Sequence, residues 1–290
     1  MSISIIYGIK NMENISANPL AKHFRQPAIY MKLPSSGRFW KEGSLNLPAT
    51  GDIPVYPMTA RDEITIRTPD ALMNGQGVVD VIQSCCPNII DAWKMPSIDV
   101  DAVLLNIRIA SYGGNMDFDT KCPACQNESS FSLDMGKVVQ QISMPNYDDP
   151  LVFDGFKIKL KPQPYFEVNR VNQISFTEQQ ILRSVNDNNI PDEEKKAITE
   201  KYLNKLIDLN IEVSLNSTSS ITLDDGTVVT NIMHIKEFYA NAEYRILKDI
   251  EKRLKEINDQ VALDPVDVVC SACANEYKIP LTFDYANFFG

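Results

Sequence analysis

The stretch CPACQNESSFSLD, from Cys122 to Asp134, recurs as CSACANEYKIPLTFD, from Cys270 to Asp284. The copies align at a constant offset of 148 residues. Asp119, Cys122, Ala124, Cys125, Asn127, Glu128 and Leu133 match Asp267, Cys270, Ala272, Cys273, Asn275, Glu276 and Leu281, with Phe131 opposite Ile279 as a conservative match. Chance can supply a bare CxxC twice, but hardly the flanking identities at one offset. Two residues between cysteines make a tight turn from which both thiolates reach one ion at about 2.3 Å. NMDFDTK and ESSFSLD flank the first turn, PVDVV and EYKIPLTFD the second, all with strand-like alternation. Two such knuckles facing each other form a zinc ribbon, with Cys122, Cys125, Cys270 and Cys273 as the expected ligands of one structural zinc per chain. Four protein ligands leave no open coordination position, so the ion would hold shape and not catalyse.

The knuckles are separated by 144 residues. Closing so long a loop costs only logarithmically more than closing a short one, whereas a structural zinc contributes on the order of 10 kcal/mol. Two other readings stand beside the zinc site. A thioredoxin-type redox pair would follow a strand and open a helix, whereas these pairs have strand patterns on both sides. Unligated thiols are the remaining possibility, and disulfides fit poorly with a reducing compartment.

That compartment is the expectation from the N-terminus. MSISIIYGIKNMENIS has no basic region before its short apolar stretch and no cleavage site, so it does not read as a signal peptide. No apolar run approaches the roughly 20 residues that span a bilayer. The chain has 290 residues, 44% hydrophobic and 23% charged, the balance of an ordinary globular protein. Its net charge of −10 argues against non-specific wrapping of nucleic acid, which needs clustered Lys and Arg. The knuckles carry the same sign: Lys121 and Lys278 stand among Asp117, Asp119, Glu128, Asp134, Asp264, Asp267 and Glu276. Neither a nucleic acid, nor a membrane, nor a small-molecule substrate is the expected partner. The remaining cysteines, Cys85 and Cys86, read as buried core or helix-end residues.

Working outward from the repeat, the fold class is α+β: helices and short β-hairpins, with the ribbon closing a long helical insertion. Residues 1–60, punctuated by Pro19, Pro27, Pro34, Pro48, Pro54 and Pro57, read as an extended arm with turns at LPSSGRFW and ATGD. Such an arm is expected to form core poorly, and either to strap a neighbouring subunit or to lie on its own domain. Residues 61–113 read as helical. Thr68 is the N-cap candidate with Pro69 behind it; Leu72, Val79 and Ile82 recur at helical spacing, and NGQG breaks the segment. SIDVDAVLLNIRIASYG reads as a buried helix capped at Ser97 and ended by Gly113. Residues 114–136 and 264–285 form the ribbon halves. The insertion, 137–263, holds a hairpin at LVFDGFKIKLKP, with Lys157, Lys159 and Lys161 on one solvated face or a charged edge. Two amphipathic helices follow, at TEQQILRSVND and DEEKKAITEKYLNKLIDL, the second with Ile198, Tyr202 and Leu206 on one stripe. After a hairpin at SITLDDGTVVTN comes one long helix with Ile235, Phe238, Ala242, Ile246, Ile250, Leu254 and Ile257 on its stripe.

No P-loop, GxGxxG, HExxH or GxSxG is present. The two histidines, His23 and His234, have no evident metal or catalytic pairing. The expectation is a protein that is not an enzyme. VYPMTARDEITIRTPDALMNGQGVVDVIQSCCPNI, followed by DVDAVLLNIRIASYG and KCPAC, resembles the baseplate hub proteins of T-even-like phages with contractile tails, over roughly Val55 to Asp134. The resemblance implies a structural or assembly protein of the tail, built in the host cytoplasm and incorporated into the virion at the baseplate hub. Its partners would be other baseplate and tail proteins, within a symmetric ring. The MTARDE loop and the LMNG and SYGG turns could face a partner, with local turn chemistry the simpler role for Gly75, Gly77, Gly113 and Gly114. A zinc-ribbon regulator of transcription is the competing reading, weakened by the acidic knuckles.

Overall fold

Alternation of apolar residues in a proline-rich stretch lets it pair as strands at the edge of a core. The computed structural model describes residues 18–68, 74–185, 191–260, 263–281 and 289. Strands β1 (Ile29–Met31) and β2 (Ile53–Val55) pair antiparallel, with Ile29 opposite Val55. Met31, Leu33, Ile53 and Val55 are buried in the first of two hydrophobic cores. This corrects the expectation of an arm that forms core poorly: the prolines fall at turns and edges, and the residues between them pack inward. Arg25 pins the start of the segment. Its guanidinium donates to the carbonyl oxygens of Pro57 and Ser84, both at 2.8 Å, and to Asp62 at 3.2 Å.

MTARDE is likewise not a loop. Thr59 and Asp62 form a reciprocal capping box that starts helix α1 (Ala60–Arg67). Thr68 closes this helix as its C-cap. The helix sought at Pro69 and Leu72 lies outside the described residues. The break at NGQG is present, and Gly75, at φ 77°, opens helix α2 (Gln76–Cys85). A side chain at Gly75 would meet the Asn169 side chain at 2.8 Å, so glycine also permits close packing there. Cys85 and Cys86 are wholly buried at the end of α2. Burial pushes the Cys85 thiol up to about 12, with Asp62 adding to the rise, and burial raises Cys86 as well. Both are inert core residues.

Helix α3 (Ser97–Tyr112) is buried from Ala102 to Ile107, as its nearly all-round apolar sequence requires. Pro96 takes the N-cap position in place of Ser97, and Gly113, at φ 90°, ends the helix. The hairpin β3 (Asn115–Lys121) and β4 (Glu128–Asp134) follows, with Phe118 opposite Phe131 and their rings 6.0 Å apart. Asp134 accepts from the Gly136 N–H to start α4 (Met135–Gln141), whose Met135 and Val138 return to the first core.

The second core takes all its buried residues from 147–257. Its sheet runs β5 (Leu151–Phe153), β6 (Phe156–Leu160), β7 (Thr218–Leu223), β8 (Val228–Val229) in spatial order, each pair antiparallel. Gly155, at φ 86°, makes the expected turn. Ile158 and Leu160 point into the core while Lys157 and Lys159 point to solvent. Because β6 is an interior strand, these lysines belong to a solvated face and not to an edge. Between β6 and β7 stand α5 (Tyr165–Val185) and α6 (Asp192–Asn216), both longer than their sequence patterns suggest. Ile198, Tyr202 and Leu206 are half-buried along α6.

The long C-terminal helix is two helices, α7 (Ile232–Asn241) and α8 (Tyr244–Asp259), with Ala242 and Glu243 extended between them. A straight rod would rise about 1.5 Å per residue and overshoot the small sheet. The break lets Ile235 and Tyr239 pack in the same core as Ile246, Leu247, Ile250 and Ile257. Tyr239 fixes α7 to the sheet, its hydroxyl 2.6 Å from that of Thr218. The chain then returns as the hairpin β9 (Val266–Val269) and β10 (Glu276–Ile279). Among the described residues, no helix is long and apolar enough to cross a membrane.

Candidate metal centre

Each CxxC sits in the turn of a hairpin, and the two turns have the same backbone wiring. The Cys122 N–H donates to the Asn127 carbonyl and the Gln126 N–H to the Cys122 carbonyl, both at 2.9 Å. At the offset positions, Cys270 donates to Asn275 and Ala274 to Cys270, again at 2.9 Å. Gln126 and Ala274 both adopt left-handed backbone, at φ 60° and 56°. Neither is glycine, so each carries strain that the surrounding turn has to offset. The sequence gives no sign of this, because Gln and Ala rarely mark left-handed positions.

The turns face each other. The Cys122 and Cys273 sulfurs are 3.7 Å apart, and those of Cys125 and Cys270 are 3.6 Å apart. All four sulfurs lie within 4.8 Å of one another, an arrangement that could hold a metal ion. The structure thus brings together all four cysteines singled out in the sequence. It leaves Cys85 and Cys86 in the core, and His23 and His234 on exposed positions. Cys122 and Cys270 are buried, whereas Cys125 and Cys273 are exposed. Two further contacts cross between the turns. The Ser129 and Ser271 hydroxyls are 3.2 Å apart, and the Asn275 amide donates to the Cys122 sulfur at 3.9 Å.

In each turn the backbone favours the thiolate form of the first cysteine. The backbone N–H of Cys125, joined by that of Ala124, brings Cys122 down to about 6 against the opposing effect of burial. Cys270 is lowered by the equivalent N–H groups of Cys273 and Ala272. For Cys273 the Asn275 N–H pulls downward, but the neighbouring sulfurs of Cys125, Cys270 and Cys122 push it up to about 12. Four negative sulfurs this close repel, and a cation among them reverses that repulsion.

Around the centre the surface is acidic. Lys121 pairs across its hairpin with Glu128 at 2.9 Å, and Lys278 pairs with Asp267 at 3.6 Å. Met116 and Leu133 of the first hairpin, with Leu281 beyond the second, pack against the first core. The site is therefore a clasp of four thiols that ties the end of the chain to its middle in an α+β fold. The family described as T4 bacteriophage base plate protein matches residues 27–290, and the chain belongs to that family. The match begins at Pro27 and so includes the proline-rich segment from there to residue 60. No curated protein and no solved structure matches the chain.

Proposed function

We propose that this protein is a structural component of the baseplate of a contractile phage tail, in its hub region, acting through protein–protein interfaces. The four-cysteine clasp is a structural zinc ribbon. The chain is built in the host cytoplasm, incorporated into the virion among other baseplate and tail proteins in a symmetric ring, and performs no catalysis. The family match over residues 27–290 carries this reading.

For zinc, the support is metric. Tetrahedral thiolates at about 2.3 Å from an ion stand about 3.8 Å from one another, and the two cross-turn sulfur pairs stand at 3.7 and 3.6 Å. A non-catalytic role is supported by how the buried carboxylates are used. Asp62 joins the α1 cap and Arg25, Asp99 accepts from Ser35 and Trp40, and Glu178 pairs with Lys205. The paired lysines and surrounding acids of the hairpins disfavour a nucleic-acid partner.

Mass spectrometry of purified virions tests the assignment. A structural component is found there in fixed ratio to other baseplate proteins. Presence in infected-cell lysate with absence from particles would overturn it in favour of an assembly factor.

A further inference from the structure

The two cores meet along a seam, and one loop enters both. Phe39 packs against the second core, edge to face with Tyr147 at 5.7 Å between ring centroids. Its neighbour Trp40 packs against the first core and donates its indole N–H to Asp99 at 2.8 Å. Across the seam the same division occurs at the start of α3, where Ile98 joins the second core and Asp99 is buried beside the first. Among the described residues, Phe39 and Ile98 are the apolar side chains from outside 147–257 that join the second core.

The loop is held against its own backbone preference. Ser36, Gly37 and Phe39 have φ of 51°, 80° and 68°, and for Ser36 and Phe39 such a conformation costs free energy. Side-chain contacts on both sides offset that cost. Ser35 donates its N–H and hydroxyl to Asp99 at 2.8 and 2.5 Å. On the other side Arg38 donates to both carboxylate oxygens of Asp148, at 2.8 and 3.3 Å, with its guanidinium 5.1 Å over the Phe39 ring.

Elsewhere on the seam, the residues after β6 join the cores without this loop. The Gln163 carbonyl accepts from the Ser97 N–H at 2.8 Å while its side-chain amide donates to the Val213 carbonyl at 3.0 Å. Tyr165, itself buried in the first core, donates its N–H to Met95 at 2.7 Å and stacks on Trp93. We propose that the Ser35–Trp40 loop is a strap that locks the second core against the first, with the 95–97 and 163–165 pairing as the pivot. Withdrawal of Phe39 frees the Tyr147 side of the seam while each core stays folded. The strained loop then relaxes.

Amide hydrogen exchange on the full chain tests the strap by comparing the parent with Phe39→Ala and Phe39→Leu. In Phe39→Ala, exchange over 33–41 and 144–149 rises at least about tenfold, while 100–107 of α3 and 246–257 of α8 stay within about twofold. Phe39→Leu, which keeps an apolar plug, falls between the two. An unchanged seam in Phe39→Ala, an equal rise in all four segments, or loss of the fold would overturn the proposal.

Discussion

The first core gathers residues from Met31 to Phe289, whereas the second draws its buried residues from Tyr147 to Ile257 alone. Contacts of the first core join segments far apart in the sequence, so ordering it fixes long stretches of chain. The second closes loops within one contiguous stretch, through hairpins and through the pairing of β6 with β7 across α5 and α6. The clasp belongs to this difference: one cysteine pair lies between α3 and α4, both packed in the first core, and the other lies between α8 of the second core and Leu281, where the chain packs on the first again. A molecule built this way needs its staple for the distributed core and much less for the contiguous one.

Removing the staple gives the largest expected effect. Cys122→Ser combined with Cys270→Ser takes one thiol from each turn and, with a structural zinc held there, lowers the stability of the first core by on the order of 5 kcal/mol or more. Denaturant unfolding reads the loss, and amide protection along α8 shows whether the second core survives it. Equal loss in both cores would break the comparison.

Cavities inside each core sharpen it next. Leu105 and Ile250 are wholly buried, one in each core. Replacing either with alanine costs about 2–5 kcal/mol. Leu105→Ala weakens protection in α3 first, and Ile250→Ala weakens α8 first; identical exchange profiles would mean one cooperative unit.

Acid titration gives the smallest effect. The Arg38 guanidinium, helped by Lys159, holds the Asp148 carboxyl below its ordinary value. A depressed carboxyl contributes stability above its unfolded-state value and loses it as pH falls through the depressed one. Protection at 144–149 should therefore decline in acid, and Arg38→Ala should flatten that decline.

What could be read from the residues follows the same division between local and distant contacts. The hairpin at Asp154–Gly155, the core helix from Ser97 to Gly113 and the four cysteines were legible, because each rests on a short-range pattern: a turn dipeptide, an apolar run, a repeated spacing. Residues 29–55 were not, because their burial depends on α2 and α3, and the prolines obscured the alternation of Met31, Leu33, Ile53 and Val55. Helix α1 buries only Asp62 and Ile66, too little to leave a periodic signal, although its capping pair Thr59 and Asp62 was visible. The break at Ala242 and Glu243 has neither glycine nor proline to mark it; tertiary packing imposes it. The left-handed Gln126, Ala274 and Phe39 are set by sulfur geometry and by the seam, which no local propensity encodes.

Metal content tests the central claim most directly. Native mass spectrometry of the protein purified under reducing conditions should show one zinc per chain, lost together with the first core's protection on chelation. A folded chain carrying four reduced, metal-free thiols, with α3 as protected as in the metal-bound protein, would contradict the account.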